Sequence, residues 1–168
     1  MKSFLVVALT LLLAGCASFS GSDLVPGKST AADAQQSMGR ADQQLKLANG
    51  DTALYFSRQP MGRAMYVVTF GPDGAMKSKE QRMQYGYFAK VVKDSWGKKE
   101  VSELLGPAWR SGRLDRLKRE WWEYRYWLSP EFRVVWVQFS DDGVVREVYD
   151  MLDPDEERKK DGQGGWSG

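Results

Sequence analysis

The chain has 168 residues, 42% apolar and 27% charged, with a net charge of +2. That is a globular balance, and no whole-molecule field calls for a polyanionic partner such as nucleic acid. It contains no histidine and one cysteine. These absences exclude a disulfide, remove the usual general base near neutral pH and leave no metal-ligating cluster of imidazoles and thiolates, so the chain is read as a non-enzyme without cofactor or metal.

Met1-Lys2 is a short positive start, and Phe4 to Leu13 is an apolar run interrupted only by Thr10. The run is too short to span a bilayer as a mature helix, and it predicts a signal peptide over 1–15. The run ends in Leu13-Ala14-Gly15-Cys16, which resembles the bacterial lipobox. The resemblance implies that Cys16 is acylated. Ala17, rather than Asp, follows it, and by the same resemblance this implies an outer-membrane, periplasm-facing protein anchored through Cys16. Residues 16–26 are small and polar, with Gly21 and Pro26, and are expected to form a flexible lipidated tether.

A first unit is expected over 27–83. Ser29 or Thr30 caps a short helix that Gly39 stops. Strands are expected at Ala53–Ser57, Ala64–Phe70 and Ala75–Arg82, with Pro72-Asp73-Gly74 as a tight turn. A second unit is expected over 84–152. Its helix, Glu100 to Leu105, ends at Gly106-Pro107. Its strands are Trp121–Leu128, Phe132–Ser140 and Val144–Met151, with Asp142-Gly143 between the last two. Residues 153–168 are charged and then Gly-rich, and read as a disordered tail.

The two units repeat each other. Tyr55 and Tyr124, Phe70 and Phe139, and Gly74 and Gly143 each stand 69 residues apart, which predicts a gap-free duplication across two strands and a turn. The expected fold class is α+β, with two tandem repeats, each a short helix or helical pair packed on a three-stranded antiparallel meander that leaves one face open. Period-two alternation places Val135, Val137 and Phe139 on the core face, joined by Trp122, Tyr124 and Tyr126. The opposite face then carries Trp121, Glu123, Arg125 and Trp127 on one strand and Val134, Trp136 and Gln138 on the next. Trp121, Trp127 and Trp136 form either a partner-binding patch or the seam between the two units. Arg110, Arg113, Arg116 and Arg119, with Lys118, are expected in a basic loop before this strand, where they are either solvated or face anionic lipid or an acidic partner.

The run Ser95-Trp96-Gly97-Lys98-Lys99-Glu100-Val101-Ser102-Glu103-Leu104-Leu105-Gly106-Pro107, then Trp122-Glu123-Tyr124, then Phe139 to Val144, resembles the SmpA/OmlA (BamE-like) family of small outer-membrane lipoproteins. Ser95-Trp96-Gly97 stands where that family has a Gly-Met-Thr-like helix start. The first unit keeps Gly27, Gly39, Tyr55, Phe70 and Gly74 of the pattern. The resemblance implies a non-catalytic binding or scaffold role in envelope or β-barrel assembly, with components of the barrel-assembly machine as partners. Two tandem units also resemble the architecture of β-lactamase inhibitory proteins, which implies the alternative of gripping a periplasmic enzyme through a double sheet.

Overall fold

The computed structural model describes residues 19–156; Cys16, the signal segment and residues 157–168 of the expected tail, with Trp166, lie outside the described residues. The fold is α+β. Two four-stranded antiparallel sheets, each in sequential strand order, carry it. The first sheet comprises β1 (Gln43–Lys46), β2 (Thr52–Ser57), β3 (Met65–Phe70) and β4 (Met76–Gln81), preceded by α1 (Ala31–Met38). The second comprises β5 (Arg110–Leu114), β6 (Arg119–Leu128), β7 (Glu131–Ser140) and β8 (Val145–Leu152), preceded by the single turn α2 (Tyr85–Phe88) and by α3 (Lys98–Leu105).

Each sheet thus has one strand more than its sequence pattern predicts. The additional strands are QQLK and RSGRL. Both lie at a sheet edge, where backbone hydrogen bonds to one neighbour hold a strand whose side chains need no apolar alternation. The expected basic loop is therefore β5, a 3₁₀ turn over Asp115–Leu117 and the start of β6.

Helix α1 begins where its sequence can satisfy the free amides of a helix start. Thr30 Oγ1 accepts from the Asp33 N–H at 3.3 Å, and Asp33 Oδ2 accepts from the Thr30 N–H at 2.8 Å. Helix α3 uses Glu100, which accepts from the Gly97 N–H at 2.8 Å. Gly39 and Gly106 end the two helices at φ +85° and +77°, a region closed to residues with a Cβ except at a cost in strain.

Helix α1 covers the face of the first sheet formed by Leu54, Phe56, Val68 and Phe70, with Ala34 and Met38 in contact. The other face of that sheet is covered as well, contrary to the expectation of an open side. Ala53, Tyr55, Met65 and Val67 share one core with Val101 and Leu105 of α3 and with Tyr124, Tyr126, Val135, Val137 and Phe139 of the second sheet. Helix α3 is the keystone of this shared core. The Tyr55 hydroxyl donates to the Glu103 carbonyl at 2.6 Å, and the Tyr124 hydroxyl donates to the Gly106 carbonyl at 3.2 Å. Arg82 from the first unit donates to the carbonyls of Glu103 and Leu104 at 2.9 and 3.0 Å, closing the helix end. Burial pushes the Tyr124 phenol far above its ordinary value and the Tyr126 phenol up to about 12, the latter helped by its bond to Asp150.

Residues 19–26, expected as a flexible tether, are docked through Gly21 and Leu24, while Phe19 and Val25 stay exposed. Leu24 lies in the α1 core, and Asp23 accepts from the Ser37 hydroxyl at 2.5 Å. Composition reads this stretch as a linker because it is small and polar, yet one buried Leu and a row of satisfied carbonyls dock it.

Two lysine-paired carboxylates predict the acid response. The bond from Lys77 Nζ at 2.7 Å holds Asp51 below its ordinary value of 3.8, and Lys98 at 2.6 Å holds Glu120 below 4.5. A pKa lower in the folded than in the unfolded chain contributes stability that is present above the unfolded value and lost as pH falls through the folded one. The melting temperature is therefore expected to stay level from pH 7 to about 5 and to fall below about pH 4. A scanning-calorimetry series in acetate and glycine buffers checks this; a flat profile down to pH 3 would contradict it.

Candidate functional site

The duplicated pattern is not gap-free. Helices α1 and α3 stand 67 residues apart, and so do β1 and β5 by their pairing registers. The pair Tyr55↔Val67 corresponds to Glu123↔Trp136, so β2 and β6 are related by 68 residues and β3 and β7 by 69. The hairpins β3–β4 and β7–β8 match at 69 throughout, down to a register slip between Thr69 and Phe70 in one and Gln138 and Phe139 in the other. Tyr55 is thus the counterpart of Glu123 and not of Tyr124. A one-residue shift moves a side chain to the opposite face of its sheet.

This register identifies the outer face of the second sheet. Trp121, Glu123, Val134, Trp136 and Gln138 occupy the positions that Ala53, Tyr55, Met65, Val67 and Thr69 hold in the first. In the first sheet that face seats α3. In the second, Trp121 and Trp136 belong to neither hydrophobic core. The two indoles stack on each other, with centroids 4.7 Å apart and planes 11° from parallel. Gly112 of β5 passes beneath Trp121, where any Cβ would meet the ring at 2.5 Å. The apolar seam between the units lies at α3, and Trp121 and Trp136 stand outside it.

Glu123 sits at the centre of this face and is 1% exposed. Its Oε2 accepts from Trp136 Nε1 at 2.6 Å and from Arg110 Nη2 at 3.0 Å, and Arg125 Nε lies 3.5 Å from its Oε1. The Arg110 guanidinium lies over Trp109, 4.6 Å from its centroid. Arg119 donates to Gln138 at 3.2 Å, beside Trp121. These residues meet as one patch: aromatic planes held by a buried carboxylate and rimmed by arginines. A buried charge needs such pairing, because an unpaired one is expelled or neutralised.

The remaining expected site residues lie elsewhere. Trp127 is 60% exposed beside Phe132 at the far end of β6, six residues and roughly 20 Å from Trp121 at strand spacing. Arg113 sits on the other side of β5, bound to Asp141 at 2.7 Å and Asp115 at 3.3 Å. Arg116 is exposed in the 3₁₀ turn. The basic character of the segment is thus divided between two faces and partly neutralised.

Sequence reasoning missed a second cluster at the lower end of this face. Arg125 and Asp153 are 6% and 0% exposed. Arg63, reaching across from the first unit, contacts Asp153 at 2.7 Å and Glu156 at 3.0 Å, and stacks on Phe132 at 4.4 Å. Arg125 approaches Asp153 at 3.6 Å, bonds Asp155 and lies 3.9 Å over Trp109. Its backbone N–H, beyond the end of β5, donates to Gln59 Oε1 of the first unit at 2.8 Å. Asp153 to Glu156, expected as the start of a disordered tail, is therefore a clasp between the units. Its signal is invisible in composition, since charge and an absent apolar period describe a clasp and a tail equally well. Among the described residues, no three potential metal ligands come together, and no helix is long and apolar enough to cross a membrane.

No protein-family model and no curated protein matches the chain. Among solved structures, a DUF4309 family protein, YjgB from Bacillus subtilis, is similar at 14% identity and a TM-score of 0.31, covering 79% of this chain and 84% of its own. A likeness of that degree carries no functional argument.

Proposed function

We propose that the chain is a non-catalytic lipoprotein, anchored to the outer membrane through Cys16, in which two tandem BamE-like units hold a partner in envelope or β-barrel assembly. The partner sits on the outer face of the second sheet. The observation that carries this reading is the register correspondence. The equivalent face of the first sheet seats an amphipathic helix, α3, whereas the Trp121–Trp136 face belongs to neither core. A helix from a partner would lie against the half-buried Trp121–Trp136 pair, and stacked indoles with flanking arginines are the side chains that dominate interface energies. The resemblance to the SmpA/OmlA family and the lipobox support the location.

The test is a mild crosslink and affinity pull-down of the lipidated protein from native membranes, with Cys16→Ala as control. Recovery of barrel-assembly components, lost in the control, is the expected result. Capture of one soluble periplasmic protein, retained in the control, would overturn it in favour of an inhibitor-like role. Trp121→Ala combined with Trp136→Ala is expected to weaken capture at least tenfold, since the two indoles stack at the centre of the face and central aromatic anchors are typically worth about 2 kcal/mol or more. Circular dichroism should show the variant still folded, because neither residue belongs to a core cluster; loss of the fold would reassign both to the core.

A further inference from the structure

We infer that the end of the first sheet where the β2–β3 turn with Met61 lies beside Phe19 rests on the lipid surface and sets how the protein stands on the membrane. This rests on the reading of Cys16 as the acylated residue. Cys16 and Phe19 are three residues apart, so their Cα atoms are separated by at most about 11 Å. The chain has no slack beyond that point. The Arg58 guanidinium donates to the Phe19 carbonyl through Nε at 3.1 Å and Nη2 at 2.9 Å, and to the Met38 carbonyl at 2.7 Å. Lys79 donates to the carbonyls of Ser20 and Gly21 at 2.9 and 2.7 Å. Gly21 adopts φ +61° against Met38 and Leu24, turning the chain directly into the core. Two cations and a buried turn thus rivet the point where the chain leaves for its anchor.

The apolar side chains at this point face outward. Phe19 is 73% exposed and Met61 is 94% exposed, and both line one open cleft with Arg58, Ala64 and Tyr66. Arg58 lies 5.4 Å from the Phe19 ring centroid, so the cation that holds the chain also supports the ring. Apolar side chains within reach of the headgroup boundary gain by entering it, and an acyl anchor this close keeps them there. A long tether would let the body tumble; this geometry gives it one preferred face.

The full-length acylated protein in vesicles of phosphatidylethanolamine and phosphatidylglycerol tests this. With Cys16 acylated, Met61→Cys supplies the one free thiol for an environment-sensitive fluorophore. Asp141→Cys is the comparison site. It lies just past the far end of β7, nine residues and so about 30 Å from Phe132, whose ring Arg63 of the Met61 loop contacts. The expected result is a several-fold rise in emission and quenching by lipid-borne nitroxide at position 61, with neither at position 141. Equal, water-like emission at both sites in protein that floats with the vesicles would overturn the inference and leave the anchor reading standing. Protein that does not float would overturn both.

Discussion

Asp153→Ala is expected to lower the unfolding free energy by about 3–5 kcal/mol, the range for breaking a buried ion pair by removing one partner. Asp153 is fully buried between the guanidinium groups of Arg63 and Arg125, whose side chains are 9% and 7% exposed. Its loss leaves the two buried cations, among the described residues, with the partly exposed Asp155 and Glu156 and with Glu123, which already serves Arg110 and Trp136. Arg63 also sits at φ +45°, a conformation that costs an L residue energy and that these contacts maintain. Equilibrium urea unfolding measures the effect. The double variant with Arg63→Ala should recover part of the loss, because it removes a stranded charge along with its partner. A loss under about 1 kcal/mol for the single variant would mean that the clasp is open in solution.

Gly106→Ala is expected to cost about 2–6 kcal/mol, through two separable effects. A Cβ at φ +77° is strained, at about 1–3 kcal/mol. It would also meet the Tyr55 ring at 2.7 Å and Met65 at 3.2 Å, in the tightest part of the shared core, where overpacking costs a further 1–3 kcal/mol or so. Gly39→Ala separates these terms. Gly39 ends α1 at φ +85°, and a Cβ there meets nothing within 4 Å. It should therefore carry the strain alone. The difference between the two variants in denaturant unfolding measures how closely α3 is held between the sheets. Equal costs would show that the first sheet yields without resistance.

The legible parts of this protein are those decided by local chemistry. Val135, Val137 and Phe139 alternate because a strand with one buried face must, and the structure turns them inward with Tyr124 and Tyr126. Gly106 stops α3 and Gly39 stops α1, since a helix ends where a residue takes positive φ. Asp73-Gly74 and Asp142-Gly143 make turns of matching register, so the second hairpin of each unit was readable to within one residue at its strand ends, though not the register slip before each turn. Tertiary structure decided what depends on distant neighbours. QQLK and RSGRL are strands only because β2 and β6 offer them free backbone groups. Tyr55 and Tyr124 share a letter and a spacing but occupy opposite faces, because loop lengths set the register of β6 against β7 and no side-chain pattern records a one-residue slip. Glu123, Arg125 and Asp153 read as surface charges in a sequence that cannot say which charges will meet. They are buried because Arg63 and Arg110 arrive from elsewhere in the chain to pair with them.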